Sequence, residues 1–242
     1  MMEPETTAAS LVARVAAQIV ERLVQTKARP GDMLPAEAKL ASQFNVSRTV
    51  VREALSFLAG RGLIAVINGR GAMVQSLSEA PLSAYFTQAV AIERLSLREI
   101  MEARKPLEVQ CARLAAQRRT LDQLDAMQTL VQHMRRSVSN ADRYVELDRE
   151  LHRLIAEASG NLLLAHLVSA LRDAINAQTH EMLYRRRNRQ QLERVHALHE
   201  AIVAEIGYRN PDAAARAMDV HFSEALVFLI QRQEEQQMVR RG

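Results

Sequence analysis

The chain of 242 residues is long for one compact core and sufficient for two domains. Hydrophobic residues make up 48% of it and charged residues 25%, with a formal net charge of +4; this composition excludes a disordered chain, a fibre and a membrane protein. No apolar run approaches the ~20 residues that span a bilayer, and the acidic start of the chain lacks an apolar signal segment. The single cysteine, Cys111, cannot form an internal disulfide, so we expect a cytoplasmic protein.

The charge is distributed unevenly along the chain. Residues 1–76 contain nine Lys and Arg residues against six acidic ones, whereas the remainder contains 23 basic and 22 acidic residues. The hydrophobic periodicity stops in the segment QSLSEAP, where Ser, Glu and Pro appear together. We therefore predict a basic domain at 1–76, a linker at 77–81, a larger domain at 82–235 and a polar tail at 236–242.

The first domain has the element order of a winged helix-turn-helix. Apolar residues three or four positions apart predict a helix over about 10–25, and an RPGD turn separates it from a short helix that starts at about Pro35. Ser47 is suited to cap a third helix over 48–60. Two β-prone runs on either side of Asn68-Gly69 predict a hairpin, which forms the wing.

The third predicted helix carries side chains that are suited to DNA. Ser47, Arg48 and Thr49 lie at its start, and Arg52 lies one turn later on the face opposite the apolar stripe. Hydroxyl and guanidinium groups in these positions reach phosphates and guanine edges in the major groove. Arg70, at the tip of the hairpin, would contact the DNA backbone or the minor groove. The alternative interpretation is that these arginines only form a solvated helix face.

The segments RPGDMLPAE, VSRTVVREAL and GRGAMV resemble the signature of the GntR regulators. The resemblance implies that Gly69 belongs to the wing and that the operator is contacted by Ser47, Arg48, Thr49 and Arg52. The family usually has a DNA-contacting arginine where this chain has Ala38. Lys39 is the neighbouring cation, although on an ideal helix it points about 100° away from that position.

The second domain is predicted to be all-helical, with no strand pattern. Its capping residues include Ser96, the Thr-x-x-Gln capping box at Thr120, Asn140 and the sequence Asn-Pro-Asp at 210–212. The predicted fold is mainly α, an antiparallel bundle of six to seven helices after the winged domain. We place these helices at about 82–94, 97–117, 120–137, 140–158, 162–184, 188–207 and 211–232.

One set of residues in this bundle is suited to bind a metal ion. Asp148 and His152 lie four residues apart on one face of a predicted helix, and His199 and His221 lie on apolar faces of two others. Three imidazoles and one carboxylate suit a divalent transition metal, with Zn²⁺ first and Ni²⁺ or Mn²⁺ as the alternatives. The spacing leaves open that these are ordinary core histidines. We assign ordinary positions to the other four histidines: His133, His166, His180 and His196. Of these, His196 would replace His199 as the ligand if the helix phase were shifted.

The segments REIMEAR at 98–104, ASGN at 158–161 and HEAI at 199–202 resemble the FCD effector-binding domain of the FadR subfamily. The resemblance implies a metal held by Asp148, His152, His199 and His221 at the bottom of a cavity, where it helps to bind a carboxylate effector. It also implies that Arg104 contacts the effector carboxylate, for which the guanidinium fork is well suited. The alternative for Arg104 is a surface salt bridge.

The sequence thus predicts a homodimeric DNA-binding transcription regulator, and a repressor is favoured over an activator. A small organic acid, bound at the metal site, would control its affinity for a near-palindromic double-stranded operator. One alternative is a regulator for which the metal itself is the signal, and another is a metal that only stabilises the bundle. A metal-dependent hydrolase is the alternative from another class of protein.

Overall fold

The computed structural model describes residues 8–67, 70–175 and 188–241. The chain divides into two compact units, residues 1–81 and 82–242. We call them the N-terminal unit and the C-terminal unit and describe each by itself.

The N-terminal unit contains three helices and a two-stranded antiparallel sheet: α1 (Ala8–Gln25), α2 (Glu37–Phe44), α3 (Arg48–Gly60), β1 (Ile64–Ile67) and β2 (Gly71–Val74). Ile64 lies opposite Val74 in the sheet, and Ile67 lies opposite Gly71. Apolar side chains from all three helices and from β1 form one core, among them Ile19, Leu40 and Leu58. The predicted winged helix-turn-helix is therefore confirmed as a fold.

Local hydrogen bonds explain the boundaries within this unit. The backbone N–H of Val50 donates to the Ser47 side chain at 3.3 Å, which confirms the predicted cap of α3. We had expected the second helix to begin at about Pro35, but it begins at Glu37. Leu34 N–H donates to the carbonyl of Ala72 at 2.8 Å, which ties this segment to β2, and Ala36 is still extended, with φ −55° and ψ 147°.

The C-terminal unit is built from helices, in agreement with the predicted bundle. They are α4 (Ala80–Ala91), α5 (Leu97–Arg118), α6 (Leu121–Arg136), α7 (Ala141–Ala158), α8 (Leu162–Ala174), α9 (Arg189–Gly207) and α10 (Pro211–Arg241). The helix α10 packs along α5 and α9, and α7 packs against α5, α6 and α8. Their buried side chains form one core around Tyr144, Leu151, Ile202 and Phe222.

Three helix ends differ from the prediction. The helix α4 begins at Ala80, inside the predicted linker, and ends at Ala91 instead of 94, because Glu93 has a positive φ of 56° that a helix does not accept. The helix α8 ends at Ala174 rather than at 184; the residues beyond 175 in that prediction lie outside the described part of the chain. The helix α10 continues to Arg241 through the predicted polar tail, whose Gln, Met and Arg residues favour helix and which has no Gly or Pro before Gly242.

No helix in the described ranges is long and apolar enough to cross a membrane.

Candidate metal centre and nucleic-acid interface

The structure brings the four predicted metal-binding residues together in the C-terminal unit. Asp148 and His152 lie one turn apart on α7, His199 comes from α9 and His221 from α10, and all four are buried. Each offers one ligand atom, and these four atoms lie within 4.8 Å of one another. We call this set the four-residue cluster.

Several buried polar atoms of the cluster lack hydrogen-bond partners outside it. Asp148 Oδ1 lies 2.9 Å from His199 Nε2 and 3.7 Å from His152 Nε2. Apart from this 2.9 Å approach, Asp148 Oδ1, His199 Nε2 and His221 Nδ1 have no hydrogen-bond partner among the described residues. Buried polar atoms without partners are costly in a folded protein. Converging atoms of this kind, one carboxylate oxygen and imidazole nitrogens, fit a divalent transition metal.

Three further buried side chains form hydrogen bonds to members of the cluster. The Nδ1 of His152 is bonded to Glu108 on α5, and a guanidinium N–H of Arg172 on α8 donates to Asp148 Oδ2. The hydroxyl of Tyr144 lies 3.1 Å from the Nδ1 of His199. In each case the bond uses the atom that faces away from the cluster, so the other atom is turned towards it. Such partners are typical around protein metal sites.

Charge within this core favours the protonation states that a metal requires. Burial alone would raise the pKa of Asp148, but Arg172 and His152 outweigh it and hold that pKa well below its ordinary range. Burial lowers the pKa of His199, against the opposing effect of Asp148, and it lowers the pKa of His221 well below the ordinary value. The core therefore favours an ionised Asp148 carboxylate and neutral imidazoles at His199 and His221, the forms that bind metal ions.

Arg104 lies in the same core and not on the surface, so the surface salt bridge that we considered for it is wrong. It is 3% exposed, and its Nε donates to Glu108 Oε1 at 3.1 Å. Its guanidinium carbon lies 5.3 Å from the centre of the Phe222 ring. A carboxylate ligand that reached Arg104 would therefore meet a guanidinium that Glu108 already holds.

The remaining histidines stay outside the cluster where the structure describes them. His133 is exposed and His166 is partly buried. His196 is buried, with Nε2 3.2 Å from Glu200 Oε1 and its ring edge-on to Tyr144. The helix phase that placed His199 inward is therefore confirmed. His180 lies outside the described residues.

The predicted DNA-contacting residues are on the surface of the N-terminal unit. Ser47, Arg48, Thr49 and Arg52 are exposed at the start of α3, opposite its buried Val51 and Leu55. Arg70 is exposed beside β2, and Gly69 lies outside the described residues. On α2, Ala38 and Lys39 are both exposed.

Sequence reasoning missed an ion pair within this surface. Arg52, whose side chain is 71% exposed, donates from Nη2 to Glu37 Oε2 at 3.0 Å and from Nε to Oε1 at 3.4 Å. Glu37 belongs to α2 and Arg52 to α3. The pair therefore joins α2 to α3 through a guanidinium that was predicted to contact DNA.

Comparison with known families assigns both units. Residues 11–74 match the model described as bacterial regulatory proteins, gntR family, and residues 99–224 match the FCD domain. The second match alone spans more than half of the chain. The chain belongs to the GntR family.

Curated relatives of this GntR regulator include LutR of Bacillus subtilis, which is 30% identical over 199 residues, or 81% of this chain and 90% of LutR. The repressor NanR of Cronobacter sakazakii is 30% identical over 80% of this chain and 75% of NanR. The Glc operon transcriptional activator of Escherichia coli is 27% identical over 87% of this chain and 85% of that protein. These relatives are transcription regulators and not enzymes, which confirms that this GntR protein is a DNA-binding transcriptional regulator.

A solved structure supports the same fold. Streptococcus agalactiae GntR superposes with a TM-score of 0.65 at 27% identity, covering 89% of this chain and 98% of that one. The predicted fold class, a winged helix-turn-helix followed by a helical FCD bundle, is therefore confirmed for this GntR regulator.

The side chains behind the cluster carried little sequence signal. Glu108 lies four residues after Arg104, a spacing that indicates a salt bridge on any helix and does not point to His152. Tyr144 lies four residues before Asp148, on the same face of α7, and this position was the available signal. Arg172 is recognised only once α8 is packed against α7.

Proposed function

We propose that this GntR regulator binds a divalent metal ion at the four-residue cluster and a small carboxylate beside it, and that this binding changes its affinity for operator DNA. The proposal is carried by one observation: Asp148, His152, His199 and His221 are all buried, and each brings one ligand atom to within 4.8 Å of the others. Asp148, His152, His199 and His221 would hold the metal, for which Zn²⁺ is the first candidate and Ni²⁺ or Mn²⁺ the others.

The core would also favour an anionic ligand. The carboxylate of Asp148 is already balanced by Arg172, and that of Glu108 by Arg104. A bound metal would supply a Lewis-acidic positive centre to which a carboxylate oxygen can bind. Because the surrounding carboxylates are paired, its charge would be compensated only in part, and an acid anion would lower the electrostatic cost of the buried site.

Control of DNA binding requires that the ligand favour one of two states. A ligand shifts an equilibrium only by its difference in affinity for the DNA-competent and incompetent states. We expect residues 77–81 to transmit the shift, and a homodimer to present two α3 helices to a near-palindromic operator. A coupling of about 1–3 kcal/mol, or 5–150-fold in affinity, would be sufficient to release the operator.

The direct test is a thermal-shift screen of small carboxylates against metal-loaded protein. A ligand that binds only the folded state raises its apparent stability, by about 2.7 kcal/mol at a concentration of 100 Kd. The acid that raises the melting temperature should then change operator affinity in a fluorescence-anisotropy titration. If no acid in a chemically broad panel stabilises the metal-loaded protein, the carboxylate part of the proposal is wrong.

We further propose that the protein acts as a repressor. The relatives named above include both a repressor and an activator, so the sign needs its own measurement. A promoter-reporter assay should show higher expression when the gene for this protein is deleted. Lower expression on deletion would make it an activator.

A second candidate function uses the same cluster with the metal itself as the signal. The observation that favours it is that the cluster already supplies four ligand atoms, so a metal ion could be bound without an acid. Operator release by a chelator, without any acid, would support this candidate. Release by an acid at fixed metal concentration would support the first. If the metal only stabilises the bundle, His152→Ala should lower the melting temperature and leave the response of operator binding to the acid unchanged.

A further inference from the structure

Glu108 connects Arg104, on its own helix, with His152 on α7. One oxygen, Oε1, accepts two guanidinium N–H groups of Arg104, one turn earlier on α5. The other, Oε2, is bonded to Nδ1 of His152 on α7. All three side chains are at most 4% exposed, so water does not compete for these bonds.

The bond to Glu108 determines what His152 can offer to a metal. An imidazole that donates its Nδ1–H to a carboxylate keeps its lone pair on Nε2. That atom faces the cluster, 3.7 Å from Asp148 Oδ1. A carboxylate partner fixes the tautomer and the ring orientation of a metal-binding histidine.

Glu108 is in turn fixed by Arg104. The contact of Arg104 with both Glu108 and the Phe222 ring leaves its guanidinium little freedom to turn. The three side chains thus form a chain of contacts from α5 to the cluster.

We propose that Glu108 is a positioning residue for His152, and that Arg104 supports metal binding through Glu108 even when no acid is present. This inference rests on the proposed function, because it assumes that the cluster binds a metal. It differs from the expected function of Arg104, in which the guanidinium matters only for the effector carboxylate.

The test measures metal affinity without any acid. Co²⁺ serves as a spectroscopic probe, since its visible absorption reports the ligand set, and Zn²⁺ affinity follows from competition. We expect Glu108→Gln to weaken metal binding about 10- to 100-fold, the usual effect of losing such a partner. We expect Arg104→Gln to weaken it by a smaller factor and to alter the Co²⁺ spectrum.

The chain offers a matched control on the same helix. Arg98 and Glu102 form another pair four residues apart on α5, with Nε 2.8 Å from Oε1, but both are about half exposed. The variants Arg98→Gln and Glu102→Gln should bind Co²⁺ and Zn²⁺ as the unaltered protein does. Metal-free melting curves of all four variants show whether each is folded. If Glu108→Gln does not fold, the metal affinity of Arg104→Gln tests the proposal.

The outcomes distinguish a failure of metal binding as a whole from a failure of the roles proposed for Glu108 and Arg104. If the unaltered protein binds neither ion, the proposed function fails and this inference fails with it. If the unaltered protein binds metal and folded Glu108→Gln or Arg104→Gln binds it equally well, only the inference is overturned. Weaker binding in these variants with unchanged controls supports it.

Discussion

At the scale of single residues, His199 is held in the same way as His152 but by a neutral group. The Tyr144 hydroxyl lies 3.1 Å from its Nδ1, and the Tyr144 ring is fully buried. When His199 keeps the Nε2 lone pair for a metal, its Nδ1–H donates to the tyrosine oxygen. This one atom of Tyr144 can be removed with little change in packing.

We therefore predict that Tyr144→Phe weakens Zn²⁺ binding about tenfold, at the lower end of the range for such partners, because the bond that it removes carries no full charge. Competition with a chromophoric chelator measures the change. The control is Tyr208→Phe, which removes a hydroxyl from a side chain that is 79% exposed. Equal affinities for both variants would show that Tyr144 does not orient His199.

The DNA surface offers a test at the same scale, and Arg48 is better suited to it than Arg52. Replacing Arg52 would also leave the carboxylate of Glu37 without its partner near the DNA. We predict that Arg48→Ala lowers operator affinity by about 1–3 kcal/mol if Arg48 contacts a base. A gel-shift titration measures it, with Arg14→Ala, which removes the same charge from the exposed face of α1, as the control. Unchanged affinity for Arg48→Ala would remove Arg48 from the candidate interface.

At the scale of elements, helix starts follow from local bonds. The helix α5, which carries Arg104 and Glu108, starts with a capping box: Glu99 N–H donates to Ser96 Oγ at 3.2 Å, and Ser96 N–H donates to the Glu99 carboxylate at 2.8 Å. Because Ser96→Ala leaves one of these donors without a partner, we expect it to lower the free energy of unfolding of the C-terminal unit by about 1 kcal/mol.

Urea unfolding followed by circular dichroism checks this prediction, with Ser139→Ala as the control, since Ser139 is exposed and caps no helix. A midpoint for Ser96→Ala equal to that of the control would mean that the box does not stabilise α5.

The distance along the chain between two interacting residues explains what could be predicted from the sequence. The caps at Ser47, Ser96, Thr120 and Asn140 were correct because a cap and its helix lie within four residues. Apolar helix faces made the four members of the cluster candidates, and the resemblance to the FCD domain implied that they hold one metal. The bonds of Glu108 to His152 and of Tyr144 to His199 join residues 44 and 55 positions apart, and only the packing of different helices brings them together.

Helix ends were less predictable than starts for a related reason. The end of α8 at Ala174 follows no glycine or proline, and Ile175 leaves the helix with ψ 88° while its side chain is buried in the core. Tertiary packing therefore decided this boundary over helix propensity. In α10 the opposite holds, since propensity extends the helix through a polar segment that the apolar pattern had placed outside it.

At the scale of the whole molecule, the proposed control of DNA binding is a coupling between two units. Any such coupling is reciprocal in binding free energy. If an acid weakens operator binding by a given factor, the operator must weaken acid binding by the same factor. This equality holds whatever path connects the four-residue cluster to α3.

We therefore predict that a saturating operator duplex raises the Kd of metal-loaded protein for the active acid by the factor, about 5–150, by which the acid raises the Kd for the operator. Isothermal titration of the acid, with and without the duplex, gives one factor, and fluorescence anisotropy gives the other. A scrambled duplex of equal length controls for ionic effects, because it supplies the same phosphate charge without the operator sequence. Agreement between the factors would establish the acid as the allosteric ligand. If operator and acid bind independently while operator and metal show the reciprocal change, the metal is the signal.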